Sequence, residues 1–238
     1  MPDVAIVTGG TGSIGAAICQ ILGAQGWSCL AADLVEPEAG ASGSDFEHLD
    51  VRSSASIRHV IDRACSLGTL RALVNAHGIL RETPLAQEAE DAIDAVLETN
   101  LKGVARVLNA AAGVIADRGA VINLSSVTAS MGRTQNAYAY QAAKAGVEAL
   151  TRTFAIALAP REVRVNCVAP GYLSTPMRDT GAELRTRQGG NEALERFTPF
   201  GRLVTPWEVA EVVTFLCSSR ASGISGVVLP VDGGQRAY

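Results

Sequence analysis

The first 33 residues constrain the fold more than any other part of the chain. Residues 4–7 form a short apolar run, residues 14–25 have the hydrophobic spacing of a helix, and residues 28–32 form a second apolar run. Glycines are concentrated between the first run and the helix. Continuous apolar runs of this length are typical of strands that are covered on both faces. The segment therefore predicts a strand, a glycine-rich loop, a helix and a second strand.

The same segment carries no charged side chain from residue 4 to residue 32, a length that could span a bilayer. The composition argues against a membrane span, because six glycines and two glutamines interrupt the apolar character. A secretory signal is also disfavoured, since Asp3 is the first charged residue and no basic segment precedes the apolar stretch. We therefore expect neither membrane insertion nor export.

Apolar runs and helical patterns alternate along nearly the whole chain. Further apolar runs occupy residues 72–74, 120–122, 163–168 and 226–231, and helical spacing recurs near residues 53–67, 88–116, 138–159 and 206–218. This alternation predicts an α/β fold with a doubly wound parallel sheet. We expect one Rossmann-type domain over residues 1–238, with about seven strands flanked by helices. Residues 176–200 are too long for an ordinary connection and predict a substrate loop.

Composition excludes several classes of function. Asp and Glu outnumber Lys and Arg by 24 to 20, so the formal net charge is −4, which disfavours a nucleic-acid partner. The five cysteines are odd in number and widely spaced, and the three histidines show no paired spacing. We expect no disulfide framework and no metal held by the protein. Reduced thiols favour a cytoplasmic location.

Residues 8–15, Thr-Gly-Gly-Thr-Gly-Ser-Ile-Gly, follow the first predicted strand and open the first predicted helix. Glycines in this context let backbone N–H groups approach a pyrophosphate, and the absence of a following Lys-Ser/Thr pair excludes a P-loop. Asp33 ends the second strand, where an acid binds the adenosine ribose hydroxyls and repels a 2′-phosphate. NAD(H) is therefore favoured over NADP(H). The alternative is a glycine-rich turn with a solvated Asp33.

Asp50 ends the third predicted strand. Its carboxylate could hydrogen-bond the adenine edge of a dinucleotide, or it could cap the helix that follows. The sequence leaves both interpretations open.

Tyr140 and Lys144 are four residues apart in a predicted helix, so both side chains lie on one face. A cation beside a phenol favours the phenolate, and we expect it to lower the pKa of Tyr140 from about 10 towards neutral pH. General acid–base chemistry requires a pKa in that region. Taken alone, the Tyr-x-x-x-Lys pattern is common and would indicate a surface pair.

Other polar motifs follow predicted strands, at the edge where open α/β sheets bind ligands. They are residues 75–78 (Asn-Ala-His-Gly), Asn100 within residues 99–103, Ser125 with Ser126, and residues 170–175. Together with Tyr140 and Lys144, these motifs resemble the classical short-chain dehydrogenase/reductase family. The resemblance covers essentially the whole chain, up to residues 231–234.

The resemblance implies a role for each matching residue. Tyr140 would be the general acid or base at the substrate oxygen, and Lys144 would lower its pKa and hold the nicotinamide ribose. Ser126 would polarise the carbonyl or hydroxyl, and Asn100 would hold a water in the proton relay. The implied cofactor contacts are Gly9, Thr11, Gly12, Ser13, Ile14, Gly15, Asp33, Asp50, Val51, Asn75, Ala76, Gly78, Tyr140, Lys144, Pro170, Gly171 and Thr175, with Thr175 at the carboxamide and Asn75 and Gly78 on the adenosine side. The family also implies a homotetramer.

The sequence departs from the family pattern at several positions. Ser13 replaces a glycine of the loop, and His77 replaces a small residue; we interpret His77 as a hydrogen-bonded structural side chain. Ser126 lies 14 residues before Tyr140, where the family usually has 13, and the neighbouring Ser125 is also a hydroxyl. Tyr138 is followed four residues later by an alanine, so it has no cation at the spacing at which Lys144 follows Tyr140. The link from Asp33 to residue 46 is short, so we expect the usual helix to be missing.

The leading hypothesis is an NAD(H)-dependent oxidoreductase that interconverts a secondary alcohol and a ketone. One alternative is a 3-oxoacyl-thioester reductase, although its usual NADPH preference conflicts with Asp33. Another is a dinucleotide-binding sensor without chemistry. An anionic substrate would follow if arginines lie over the pocket, whereas solvated surface arginines are the simpler interpretation. The candidates are Arg81, Arg133, Arg178, Arg185 and Arg187.

Overall fold

The protein is described by a computed structural model that covers residues 1–37, 45–131, 136–174 and 195–237. Every named strand in these residues belongs to one parallel sheet in the order β3-β2-β1-β4-β5-β6-β7. Because the order reverses between β1 and β4, a crevice opens beyond their carboxyl ends, where such sheets bind ligands. The strands are β1 Asp3–Thr8, β2 Ser28–Asp33, β3 Asp45–His48, β4 Thr69–Asn75, β5 Ala120–Leu124, β6 Arg164–Pro170 and β7 Val228–Val231.

Helices cover both faces of the sheet, which explains the continuous apolar runs in the sequence. On one face, Ile18 and Leu22 of α1 pack with Val213 of α6 against the sheet, and on the other α2, α4 and α5 form a second core. Burying each such Leu or Ile contributes roughly 1.5–3 kcal/mol. No helix in the described residues is long and apolar enough to cross a membrane. The helices are α1 Ser13–Ala24, α2 Ser54–Leu67, α3 Glu90–Leu97, α4 Val104–Ala112, α5 Tyr138–Leu158 and α6 Pro206–Cys217.

The prediction of a doubly wound parallel α/β sheet is confirmed, but the predicted helix over residues 88–116 is wrong in detail. A π-helical turn, Glu98–Gly103, separates α3 from α4. Gly103 packs against Val51, and a Cβ at Gly103 would lie 2.8 Å from Val51 Cγ2. π-Helical turns are rare, and they occur frequently at functional sites. Here the turn carries Asn100.

The short link after β2 is only partly described. Residues 34–37 contain no helix, and residues 38–44 lie outside the described residues, as does most of the predicted substrate loop. The last strand begins at Val228, two residues later than the apolar run suggests.

Candidate active site

A cavity of about 1210 Å³ lies at the carboxyl ends of the central strands. Gly9, Gly12 and Asp33 line one end of it, and Ser126, Tyr140 and Lys144 also lie on its wall. Parallel strands direct their following loops to the same edge, so motifs far apart in sequence meet here.

Two glycines allow the loop between β1 and α1 to fold tightly. Gly9 has a φ of 68°, and a Cβ there would lie 2.7 Å from the backbone of His77. A Cβ on Gly15 would overlap the carbonyl oxygen of Gly9. Side chains at these two positions would therefore displace the backbone of the loop.

The N-terminus of α1 offers free N–H groups to the cavity. Its N-cap is Gly12, and within the described residues no side chain caps it. Ser13, Ile14 and Gly15 line the cavity in the first turn, and Ser13 is exposed. Unsatisfied N–H groups at the positive end of a helix bind phosphate well. This end of the cavity therefore fits the diphosphate of a dinucleotide.

Asp33 points towards the glycine-rich loop from the end of β2. Its Oδ2 accepts hydrogen bonds from Thr11 N at 3.1 Å and Thr11 Oγ1 at 2.7 Å, and its Oδ1 accepts a longer one from Val35 N at 3.4 Å. The carboxylate is thus held in one orientation at the cavity wall. The sequence predicted a role for each residue, but it did not show that Thr11 and Asp33 are partners.

Asp50 lies in the cavity wall, and its carboxylate is paired with the guanidinium of Arg52. Asp50 Oδ1 accepts from Arg52 N and Nε, both at 2.9 Å, and Oδ2 accepts from Arg52 Nη2 at 2.8 Å. These bonds lower the pKa of Asp50. Ser53 caps α2, so the interpretation of Asp50 as the cap is wrong. Asp50, Val51 and Arg52 all line the cavity, and sequence reasoning missed Arg52.

The motif at residues 75–78 divides between the sheet and the cavity. Asn75 is buried, and its Nδ2 donates to Asn123 Oδ1 at 2.8 Å on the neighbouring strand. The structure does not bring Asn75 to the described cavity wall, whereas Ala76 and Gly78 line it. A Cβ on Gly78 would lie 3.5 Å from Lys144 Nζ, so Gly78 lies beside Lys144 and not on the side of the cavity predicted for adenosine.

The structure separates the two neighbouring serines after β5. Ser125 Oγ donates to the carbonyl of Lys144 at 3.2 Å and to Glu148 Oε1 at 3.0 Å, so it fastens α5 to the sheet. Ser126 Oγ accepts from Thr128 Oγ1 at 2.9 Å, and its interaction with the side chain of Tyr140 acts to lower the pKa of the phenol. The Ser126 hydroxyl is therefore the one beside the phenol.

Lys144 is buried in the cavity wall near Tyr140, with only 4% of its surface exposed. Its Nζ donates to the carbonyl of Leu124 at 2.7 Å and lies 5.7 Å from the centre of the Tyr140 ring. Burial lowers the pKa of Lys144 to about 8. The ammonium is therefore mostly charged at neutral pH and titrates just above it.

The expectation that the pKa of Tyr140 is lowered towards neutral pH is wrong for the protein without ligands. Tyr140 is partly exposed on the cavity wall, yet the surrounding protein desolvates its hydroxyl and raises its pKa to about 12. The hydrogen bond with Ser126 acts in the opposite direction and is weaker. Desolvation penalises the phenolate more than the neighbouring groups stabilise it. The phenol is thus protonated and able to donate.

Asn100 is fully buried in the π-helical turn. Its Oδ1 accepts from Ile79 N at 2.8 Å, and its Nδ2 donates to the carbonyl of Ile79 at 2.7 Å. The side chain therefore joins the turn to the segment after β4. A relay role for Asn100 stays a prediction.

His77 is buried behind the glycine-rich loop. Its Nδ1 lies 2.6 Å from Thr8 Oγ1, and its Nε2 has no hydrogen-bond partner among the described residues. Burial and the charge of Lys144 lower the pKa of His77 to about 3. The side chain is neutral at working pH, as a structural histidine would be.

Some of the remaining residues singled out in the sequence line the cavity, and others do not or lie outside the described residues. Pro170 and Gly171 line the cavity after β6, while Tyr138 is exposed and is not part of the described wall. Arg81 also lines the cavity. Outside the described residues lie Thr175, Arg133, Arg178, Arg185 and Arg187.

Comparisons with known proteins agree with this fold and site. A family described as Enoyl-(Acyl carrier protein) reductase matches residues 9–236. The chain is 36% identical over 256 residues to a cis-4-hydroxycyclohexanecarboxylate dehydrogenase of Sinomonas cyclohexanicum, covering 98% of this chain and 96% of that protein. It is 35% identical over 243 residues to a 3-oxoacyl-[acyl-carrier-protein] reductase of Thermotoga maritima, covering 97% and 96%.

Solved structures show the same architecture. The aldohexose dehydrogenase of Thermoplasma acidophilum in ligand-free form superposes with a TM-score of 0.90 at 29% identity, covering 100% of this chain and 95% of that one. Fold and site define a dinucleotide-binding oxidoreductase. The chain belongs to the short-chain dehydrogenase/reductase family.

Proposed function

We propose that the protein is an NAD(H)-dependent dehydrogenase that interconverts a secondary alcohol and a ketone. The observation that carries this proposal is that one cavity holds both the candidate proton-transfer residues and the candidate nucleotide-binding loop. Ser126, Tyr140 and Lys144 meet at one end, and Asp33 lies beside the uncapped N-terminus of α1 at the other. A dinucleotide extended between these ends would bring its nicotinamide to the phenol.

The residues present divide the chemistry between them. The nicotinamide, when bound, supplies a hydride donor or acceptor at its C4. In ketone reduction, Tyr140 donates its phenolic proton to the carbonyl oxygen, which Ser126 holds by a hydrogen bond. In alcohol oxidation, the phenolate accepts the hydroxyl proton, and the charge of Lys144 favours that phenolate.

Cofactor preference follows from Asp33. Its carboxylate can accept hydrogen bonds from the two ribose hydroxyls, whereas a 2′-phosphate would place negative charge beside it. The cation at Arg52 is engaged by Asp50, so it offsets little of that repulsion. We infer a preference for NAD(H).

The proposal is tested with a panel of secondary alcohols and NAD. The panel contains cyclohexanol, cis- and trans-4-hydroxycyclohexanecarboxylate and 3-hydroxybutyrate, and NADH formation is followed by its absorbance. We expect turnover of at least one alcohol by the wild type and none by Tyr140→Phe. Activity retained in Tyr140→Phe would contradict the mechanism.

A second candidate is a 3-oxoacyl-thioester reductase. The similarity to the Thermotoga maritima reductase supports it. If this reaction uses NADPH, Asp33 argues against the candidate, because its carboxylate would repel the 2′-phosphate. Reduction of acetoacetyl-CoA with NADPH, faster than any alcohol oxidation with NAD, would favour this candidate. The homotetramer and the cytoplasmic location stay predictions.

A further inference from the structure

We propose that the substrate carries a carboxylate and that the guanidinium of Arg81 binds it at the catalytic end of the cavity. The inference rests on the proposed dehydrogenase function and names its substrate class, a hydroxy acid and the corresponding keto acid. It also adds a specificity-determining residue outside the group that moves the proton.

The position of Arg81 is fixed by anchors on both sides of it. Two residues before it, the backbone N–H and C=O of Ile79 are both held by the side chain of Asn100. Two residues after it, the fully buried Thr83 donates from its N–H to the carbonyl of Asn136 at 2.8 Å. The short segment between these anchors has little freedom to move.

The second anchor places this segment beside the catalytic tyrosine. Thr83 Oγ1 accepts from the N–H of Ala139, at 3.3 Å, and Thr83 forms a β-bridge with Ala137. Ala139 directly precedes Tyr140, which packs with Ile79 in one apolar cluster. Arg81 therefore lies on the segment that borders the first turn of α5, and it lines the same cavity as Tyr140.

Four described arginine and lysine side chains line the cavity wall. Arg52 is paired with Asp50 at 2.8 Å, and Lys102 with Glu98 at 3.0 Å. Lys144 is buried on the carbonyl of Leu124. Arg81 Nη1 donates to the carbonyl of Leu80 at 3.3 Å, and its guanidinium carries the positive charge of the segment between Ile79 and Thr83.

The surroundings of Arg81 indicate what its ligand looks like. Apolar side chains line the same cavity, among them Ile79 and Leu97, which pack in the cluster that includes Tyr140. Arg81 is partly buried, and a guanidinium in such a setting binds a carboxylate through two parallel hydrogen bonds. The pocket thus fits a ligand with an apolar body and an anionic end.

The cavity wall also carries an acid that could pair with Arg81. Asp94 of α3 also lines the cavity, and its side chain is exposed. If Arg81 served Asp94 instead of a ligand, removal of the Asp94 charge would leave ligand affinity unchanged or raise it. Removal of the Arg81 charge would then have no effect on carboxylate selectivity. The two roles are separable by experiment.

The anion could instead be a phosphate of a thioester carrier. In such a carrier a long pantetheine arm separates the phosphates from the reacting carbon. A phosphate would therefore bind at the cavity mouth, whereas Arg81 lies on the segment next to Tyr140. We therefore assign the Arg81 site to a carboxylate on the substrate body.

The test measures binding, so it does not depend on turnover. Calorimetry follows the binding of cyclohexanecarboxylate and of its neutral isostere cyclohexanecarboxamide to the protein saturated with NADH. We expect the wild type to prefer the carboxylate by about 10- to 100-fold, the value of a charge-assisted hydrogen bond. Arg81→Gln should abolish the preference, and Arg81→Lys should retain part of it.

Controls separate the possible failures. Arg58→Gln removes an exposed arginine, on α2 and away from the described cavity wall, and should keep the preference. Unchanged NADH affinity and thermal midpoint show that Arg81→Gln is folded. Equal binding of acid and amide by the wild type, or a preference that survives in Arg81→Gln, would overturn the inference. Preference for the acid without turnover of any alcohol would overturn the proposed function and leave this site standing.

Discussion

Thr11 and Asp33 form a two-point contact at the rim of the cavity, with both the N–H and the hydroxyl of Thr11 donating to one carboxylate oxygen. The second oxygen, Oδ1, accepts one longer bond from Val35 N and retains capacity for a ligand. A fixed carboxylate loses less entropy on binding a diol than a free one does. In the proposed function, the pair would orient Asp33 for the adenosine ribose.

Removing either partner should change cofactor selectivity. Asp33→Ser removes the negative charge, and we expect the ratio of NADH to NADPH affinity to fall by about 10-fold or more. Thr11→Val keeps the charge but loses the hydroxyl bond, so NADH should bind more weakly by several-fold while NADPH stays weak. Fluorescence titrations measure both.

Thr153→Val is the matched control for Thr11→Val. Thr153 is exposed on α5, and its hydroxyl donates to the carbonyl of Ala149. It should leave both affinities unchanged. Tighter binding of NADPH than of NADH by the wild type would contradict the role of Asp33.

The two neighbouring serines should give different phenotypes. Ser126→Ala removes the hydroxyl beside Tyr140, and we expect kcat to fall by about 100-fold or more. Ser125→Ala removes bonds to Lys144 and Glu148, so it should cost about 1 kcal/mol of stability and retain most activity. Steady-state kinetics and urea unfolding distinguish the two. Comparable losses of kcat in both variants would contradict a specific role of the Ser126 hydroxyl in the reaction.

The buried His77 should make stability depend on pH. Its pKa is about 3 in the folded protein and 6.5 when unperturbed, so the unfolded state binds more protons between these values. Stability is therefore fully present above about pH 6.5 and falls by up to about 1.4 kcal/mol per pH unit as the pH drops towards 3.

Urea unfolding at several pH values checks this dependence. His77→Ala should show a shallower slope than the wild type, whatever its absolute stability. His59→Ala removes a largely exposed histidine and serves as the comparison variant. A His77→Ala slope equal to the wild-type slope would exclude a buried neutral histidine.

Two glycines at the ends of the first turn-helix unit should respond oppositely to alanine. Gly15→Ala would overlap the Gly9 carbonyl, so we expect loss of NADH binding. Gly23→Ala meets no atom within 4 Å and lies inside α1, so it should stabilise the protein by about 0.5–1 kcal/mol. Thermal unfolding and NADH titration measure the two effects. A destabilised Gly23→Ala protein would show that the helix is packed differently.

The sequence predicted best those features that depend on a single strand, loop or helix. Apolar runs mark β1 and β2 because both faces of these strands are buried, and the glycines between them mark a loop where a Cβ does not fit. The Tyr140 and Lys144 spacing predicted a shared helix face, and α5 carries both residues. Such local patterns can be recognised from the sequence without knowledge of the fold.

Features that depend on contacts between distant segments were not predictable. The π-helical turn keeps the apolar spacing of the helices around it, so residues 88–116 read as one helix. The bond from Thr11 to Asp33 joins residues 22 positions apart, and the bonds of Ser125 need the register of α5 on β5. The raised pKa of Tyr140 reflects desolvation by several elements, which the spacing to Lys144 does not show.

The most direct test of the proposed activity is the oxidation of the alcohol panel by the wild type and by Tyr140→Phe, each with NAD and with NADP. We predict NADH formation by the wild type, slower or no reaction with NADP, and no reaction in Tyr140→Phe, which should still bind NADH. Full activity in Tyr140→Phe, or a wild type that binds NADH yet oxidises no alcohol and reduces no ketone, would contradict the proposed dehydrogenase.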